Sequence, residues 1–598
     1  MTALLLVFLV GAQQAPDTVR YSVIIGGTRA GQEIAIHEPG GALRFSQEYN
    51  DRGRGPAIAT RITLGPGGLF ASIETSGHDY WKKPVDERFT MRGDTAVWRS
   101  DAEQGSRRLA RPALYVPMNA PVSSFPLIVH GLEAAGGRLA LLPAGEARAE
   151  KAGERTVTAG GRTARITHYQ VIGFDFTPTD LWLREDGRLF AFVAGSWFRV
   201  IRDGWESVGD ALAAAQDSVR IRREETLAGS LADRSASTIV IRNAAIFDAP
   251  HALLLRGQTV VVRDGRIQSV GPGTGGPVPR NARVIDARGK TLLPGLWDMH
   301  AHVSPTDGLL DIAAGVTSVR DLANDIDELA QLRRRWDDGS AIGPRVAVMA
   351  GFIDGPGPYA GPTEVLVSTA DSARAWVDRY ADLGYEQIKL YSSLDTALVA
   401  VVAERARARG LRLSGHIPLH MTAAQAVRAG YDEIQHVNML FLNFLGDTID
   451  SRTPERFTAV GRYGPDLDLA SDSVRAFIRL LEQRGTVVDP TLATFEGMFT
   501  ALPGVMDRGA AKIAPRLPAQ IRRGFLTGGL ATDDAQAARY DAAFAKMLAF
   551  VKALYDAGVP IVAGTDCLAG MCLHRELELY SQAGIPNAAV LRLATWGA

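Results

Sequence analysis

Residues 294–302 read PGLWDMHAH, an apolar run that closes on two histidines one residue apart. Side chains alternate between faces along a strand, so His300 and His302 point the same way and can grip one ion. Other apolar runs end in the same manner. QIKLYSS (387–393) carries Lys389, SGHIP (414–418) carries His416, EIQHV (433–437) carries His436 and AGTD (563–566) closes on Asp566. In a β/α barrel the C-terminal ends of the parallel strands converge on one pocket, which is where a metal site needs its ligands.

The surrounding pattern predicts that barrel. LLPGLWDMH, GVTSVRDL, PRVAVMAGF, EQIKLYSS, LRLSGHIP, DEIQHVN, TVVDPTL and PIVAGTD read as strands. Helical stretches such as Ser372 to Leu383, Thr396 to Arg409 and Ala535 to Asp556 alternate with them. The fold class is therefore α/β, with a (β/α)8 TIM barrel over 293–598. Residues 237–292 hold three β-rich pieces, including a tight hairpin at Arg263–Asp264–Gly265, and read as a β-sandwich segment. Residues 16–205 show short alternating runs separated by turn signals, such as LWLREDGRLFAFVAG, and predict a separate, mostly antiparallel β domain. The spacing in 206–236 changes to that of a helical linker.

A chain of 598 residues exceeds one core, so several domains are expected. Charged content of 22% and a formal charge of -1 leave no basic field for nucleic acid. The first residues, MTALLLVFLVGAQQAP, give a short apolar run followed by small residues, without a positive charge before it. They read as a signal peptide over 1–15 and predict a secreted or periplasmic protein. No later stretch approaches the roughly 18 apolar residues that span a bilayer. Cys567 and Cys572, directly after Asp566, can close a local ring in an oxidising compartment or stand as two free thiols.

Neutral imidazole suits zinc-like ions, which makes His300, His302, His416 and His436 the candidate nitrogen ligands. A lysine in a barrel mouth is costly if charged and unpaired, so Lys389 either pairs with a carboxylate or is neutral and reacts. Carbamylation by carbon dioxide would make it an anionic oxygen ligand able to bridge two metals. Asp566 reads as a metal ligand that also exchanges a proton with bound water, with a turn or helix cap as the bland reading. Tyr391 shares the face of Lys389 and could touch the oxyanion or a substrate carboxylate, or pack in the barrel. Asp298 and Asp321 are candidates to orient ligands. His574 and Glu576, in LHRELELY (573–580), would line the entrance as substrate contacts, unless they only start a helix. His420 and His78 read as loop and structural histidines.

At PGLWDMHAH, VTSVRDL, QIKLYSS, SGHIP, EIQHV, AGTD and LHRELELY the chain resembles the amidohydrolase superfamily. The resemblance is to its imidazolonepropionase-related branch, which includes prolidase-like Xaa-Pro dipeptidases with a carbamylated lysine, and it covers about 237–598. It implies that His300, His302 and Asp566 hold one divalent ion, His416 and His436 a second, and carbamylated Lys389 bridges them, most simply around zinc. The implied reaction is metal-assisted hydrolysis of a C–N bond in a small molecule such as a dipeptide, an N-acyl amino acid or a cyclic amide. In that reaction Asp566 moves the proton. The same chemistry could open lactones or phosphoesters. A different class of reading is an envelope binding protein with a relic barrel; an envelope partner for the N-terminal domain and self-association fit either. The chain departs from the family where NAAVLRLATWGA (587–598) reads as the last barrel helix. The strands that return to the sandwich are read as missing, which would leave hairpins such as VVVRDGRIQSV with an open edge. Specificity is expected from the loops, including 351–362 and 440–472.

Overall fold

Period-two alternation over 17–202 builds strands whose apolar faces bury Tyr21, Phe45, Ile62, Ile73 and Phe89 together. The computed structural model of the protein describes residues 17–39, 41–233, 236–273, 278–446 and 448–598. The signal-peptide reading of 1–15 lies outside them. The chain forms two units; the first runs to Asp217 and takes in Pro515–Thr527, and the second holds the rest.

The first unit is a 15-stranded sheet. Consecutive strands pair outward from Asp17–Ile25 to Gln104–Arg108, while Phe198–Arg202 pairs with Asp17–Ile25 and leads back to Ala113–Tyr115. Pairings are antiparallel except where Ala140–Leu142 lies beside Ala113–Tyr115. Two buried glutamates pin the segment that crosses it. Glu33 accepts from the N–H of Val122 and Ser123 at 3.2 and 2.8 Å, and Glu87 from those of Met118 and Asn119 at 2.8 Å each. Pro515–Thr527 joins this unit through Arg523, which donates to Glu103 at 2.6 Å and to the Val116 carbonyl at 2.8 Å.

The expected linker is the helix Gly209–Leu231, and the boundary between the units falls inside it. In the second unit Thr238–Asp248, Leu253–Arg263, Arg266–Pro272, Arg283–Asp286 and Thr291–Leu292 make one small sheet. This sheet is the segment expected as part of a sandwich. Among the described residues one layer forms, and Leu253, Leu254, Ile267 and Val270 on it are exposed, as hairpins without a covering layer must be.

The remainder is a parallel, barrel-like sheet. Seven strands neighbour one another in chain order: Leu296–Ala301, Val316–Asp321, Arg345–Ile353, Gln387–Leu390, Arg412–Gly415, Glu433–Gln435 and Val487–Asp489. The eighth apolar run is an extended segment bonded on both sides. Val488 N–H donates to Pro560 and Val562 N–H to Val488, while Met299 N–H donates to Ala563 and Asp566 N–H to His300. Helices between the strands start where their sequences supply a cap. Asp325 accepts from the N–H of Asp327 and Glu328, and Thr369 and Thr422 form capping boxes with Ser372 and Gln425.

Beneath the strand ends the barrel holds a buried polar layer in place of an apolar one. Arg320 is bidentate to Glu433 at 2.6 Å on both arms, donates to the Met299 carbonyl at 2.7 Å, and reaches Asp489 at 3.5 Å.

Candidate metal centre

The first strand brings two donors, His300 and His302, and the fourth, fifth, sixth and eighth runs one each, Lys389, His416, His436 and Asp566, to the same place. His302 Nε2 lies 3.5 Å from Asp566 Oδ1, His436 Nε2 3.8 Å from Asp566 Oδ2, and His300 Nε2 4.0 Å from Asp566 Oδ1. Lys389 Nζ lies 3.4 Å from His302 Nε2. The His416 ring centroid is 4.6 Å from that of His436. All six residues picked from the sequence therefore meet. Donor atoms of His300, His436 and Asp566 fall within 4.8 Å of one another, a trio that cuts across the two-ion division implied by resemblance.

The other ring nitrogens explain how the donors are aimed. His300 Nδ1 is 2.7 Å from Asp489 Oδ2, His302 Nδ1 is 2.9 Å from the Ala323 carbonyl, and His436 Nδ1 is 2.8 Å from the Thr491 hydroxyl. A proton on each Nδ1 satisfies these acceptors and leaves the Nε2 lone pair for an ion. His300 Nε2 is buried and without a hydrogen-bond partner. An orphaned buried acceptor is costly, and a divalent cation that takes its lone pair removes that cost, so the residues fit a metal.

Electrostatics agree. Burial, reinforced by the Lys389 charge, holds His302 down at about 4, and burial holds His436 at about 3; His300 and His416 are lowered well below the ordinary range for the same first reason. All four are neutral near pH 7, the form in which an imidazole can bind an ion. Burial also lowers the Lys389 ammonium, with Asp566 opposing it. A lysine amine that gives up its proton easily is the form that adds carbon dioxide.

The backbone is bent to achieve this. His436, Thr491 and Asp566 have φ of 70°, 50° and 52°, and each such non-glycine residue costs on the order of 1–3 kcal/mol. Hydrogen bonds hold the bends: His436 N–H donates to Asp489 at 2.7 Å and Asp566 N–H to His300 at 3.0 Å. Asp298 adds a clamp. It accepts from the N–H of His300 and Thr565 at 3.0 and 3.1 Å and from the Thr565 hydroxyl at 2.7 Å, and burial raises it to about 7. Asp321, raised by burial to about 6, accepts from Val303 N–H at 2.9 Å. Both thus hold the backbone beside His300, His302 and Asp566, not the imidazoles. A cavity of about 150 Å³ beside the centre is lined by Asp298, His300, His302, Asp307, Asp311 and Asp566.

Two expected substrate contacts have other work. Glu576 is fully buried and accepts from the N–H of Leu492 and Ala493 at 2.9 and 2.6 Å, so it caps the helix Leu492–Thr500. His574 Nε2 bonds the Ala314 carbonyl at 2.7 Å. Tyr391 is buried, its ring 4.0 Å from that of His416. Cys567 and Cys572 are disulfide-bonded. His78 accepts from Ala57 N–H, a structural role.

Sequence reading missed Asp489, Thr491 and Arg320. Asp489 and Thr491 flank the proline of TVVDPTL, where they read as a strand ending in a turn. The signal available was position, since that run ends on the same rim as the ligands.

No protein-family model matches the chain. Among curated proteins it is 33% identical over 99 residues to adenine deaminase of Paracoccus denitrificans, covering 17% of this chain and 16% of that one. It is 24% identical over 200 residues to adenine deaminase 3 of Rhizobium meliloti, covering 31% and 32%. The chain thus spans less than a third of the length of these relatives. Among solved structures it is similar to a bottromycin amidohydrolase, with TM-score 0.46 and 24% identity over 63% of this chain and 79% of that one. It is also similar to ochratoxinase of A. niger, with TM-score 0.41 and 18% identity over 61% and 84%. The relatives are amidohydrolase-superfamily proteins, the group that the ligand motifs resemble.

Proposed function

We propose that the chain is a metal-dependent hydrolase that cleaves a C–N bond of a small molecule. The observation that carries this reading is His300 Nε2, buried, without a hydrogen-bond partner, and grouped with donor atoms of His436 and Asp566 within 4.8 Å.

His300, His302, His416, His436 and Asp566 would hold two divalent ions, most simply zinc, with carbamylated Lys389 between them. Bound ions would lower the pKa of water and polarise the scissile carbonyl. The Lys389 amine adds to carbon dioxide and releases one proton, converting a buried amine into a carboxylate. Asp566, on the strained turn, accepts the proton of the attacking water and returns it to the departing nitrogen. Tyr391 lies close enough to His416 to contact the carbonyl oxygen.

A dipeptide, an N-acyl amino acid or a cyclic amide is the substrate class proposed. The disulfide Cys567–Cys572 supports the proposed export, because such bonds persist in oxidising compartments.

The test is metal content by mass spectrometry on the purified full chain, with Lys389→Ala alongside. About two ions per chain, fewer in the variant, is the expected result. Near-zero metal in a folded sample overturns it. Adenine belongs in the substrate screen because the curated relatives are adenine deaminases. Ammonia released from it, with amides untouched, would move the reaction to an amidine carbon.

A further inference from the structure

We infer that Tyr359 and Arg452 latch a hinged strap over the Lys389 and His416 side of the centre, so that this side opens only when the two part. The latch is read from contacts; its effect on bound ions rests on the hydrolase reading above.

The strap follows the third strand and reads GPGPYAGP (355–362). Its base is closed, since Asp354 N–H donates to the Val365 carbonyl at 3.1 Å and Val367 N–H to the Asp354 carbonyl at 2.9 Å. The Asp354 carboxylate, sealed from solvent, accepts from the N–H of Gly361 and Ser393 at 2.7 and 2.8 Å and so pins the hinge. Prolines stiffen the strap, while Gly357, at a φ of 137°, gives its tip a bend that other residues rarely adopt. Residues 356–358 are exposed, and a Cβ on Gly357 would meet nothing within 4 Å.

The other half of the latch comes from the excursion between the sixth and seventh strands. Arg452 Cζ lies 4.9 Å over the Tyr359 ring, and Asp450 holds that guanidinium with two bonds of 2.9 Å. Strands three to six neighbour one another in order, so a bridge between the loops after the third and the sixth passes over the ends of the fourth and fifth. Those ends carry Lys389 and lead into His416. The contacts agree. The Ser393 hydroxyl, after the fourth strand, donates to the Tyr359 carbonyl at 2.9 Å, and the Ser451 hydroxyl donates to the Ile417 carbonyl at 3.3 Å. A Cβ on Gly361 would lie 2.8 Å from the rings of Phe352 and Tyr391, and the Tyr391 ring is 4.0 Å from that of His416.

Exposure divides the centre accordingly. Lys389, His416 and His436 are 2, 4 and 6% exposed. The side chains of His302 and Asp566 are 35 and 33% exposed, and the cavity of about 150 Å³ lies with them. A group approaching His416 from above has to lift the strap. What resists it is small. Among the described residues, 356–360 are held to the rest of the barrel by the Arg452 face and the Ser393 hydroxyl. A partly exposed cation over a ring shifts an equilibrium by about 2- to 5-fold, which closes a loop without locking it.

The test is hydrogen exchange by mass spectrometry on the full chain, for wild type, Tyr359→Phe, Tyr359→Leu, Arg452→Gln and the Leu–Gln double variant. The amides of 359–361 should exchange about 2- to 5-fold faster in Tyr359→Leu and in Arg452→Gln. The double variant should be no faster than either single, Tyr359→Phe should match wild type because it keeps the ring face, and the helix Ala370–Asp382 should be unchanged throughout. On zinc-loaded protein, excess EDTA should remove the ions in two phases, one of which quickens by the same factor in the latch variants while the other holds. Unchanged exchange in both singles overturns the inference, as do singles whose effects multiply in the double variant. Faster loop exchange with both phases of metal release unchanged overturns the covering role. A chain that takes up no zinc in any variant overturns the hydrolase reading instead, and the exchange of 359–361 still decides the latch.

Discussion

His300 Nδ1 and Asp489 Oδ2 lie 2.7 Å apart, and both side chains are sealed from solvent. The pair fixes the orientation of an imidazole whose buried Nε2 has no hydrogen-bond partner. Arg320, 3.5 Å from the same oxygen, supplies the compensating charge, while burial pushes the Asp489 carboxyl well up. Replacing Asp489 by Ala frees His300 to rotate or change tautomer. Metal affinity should fall about 10- to 100-fold, read by chelator competition, with circular dichroism checking that the fold persists. An unchanged affinity would remove Asp489 from the centre.

Gly564 is the residue that lets this pair form. A Cβ there would lie 2.3 Å from Asp489 Oδ1 and 2.6 Å from His300 Cβ. Neither neighbour can give way, since one is the hydrogen-bonded carboxylate and the other the root of the His300 side chain. Gly564→Ala should cost about 1–3 kcal/mol or more in stability and reduce bound metal together with it. A thermal midpoint within a degree of wild type and full metal load would contradict the packing described.

These two residues show where sequence reading stops. The donors were legible because each ends an apolar run and histidine, lysine and aspartate are rare at such positions without a reason. Asp489 was not, since its partner is 189 residues away and its local context is a turn before proline. Glu576 and His574 were assigned to the pocket because they follow Asp566 closely, whereas the helix Met571–Gln582 turns both toward backbone partners. The assignment of Pro515–Thr527 to the first unit depends on Arg523 meeting Glu103, 420 residues away, which no periodicity encodes.

The disulfide closes a short ring that begins one residue after Asp566, whose φ of 52° must be held. A loop of that size contributes about 2 kcal/mol when closed. Reduction with a dithiol, or Cys567→Ser with Cys572→Ser, should lower the thermal midpoint and weaken metal binding together. Loss of stability with unchanged metal affinity would show that the ring supports the loop but not the ligand.

Glu576 gives a pH dependence with a definite sign. Burial raises its carboxyl from 4.5 to about 8, with the Leu492 and Ala493 amides opposing the shift. Its folded form therefore keeps a proton that the unfolded chain releases above about 4.5. That contribution to stability is complete below pH 4.5 and is lost as pH rises toward 8, on the order of a few kcal/mol. Glu576→Gln retains a carbonyl oxygen for the helix amides and has no proton to lose. Thermal midpoints of the metal-free proteins, taken from pH 5 to 9, should show the variant less stable at the acid end and gaining on wild type as pH rises. Parallel curves would mean that Glu576 is ionised in the folded protein, balanced by the two amides alone.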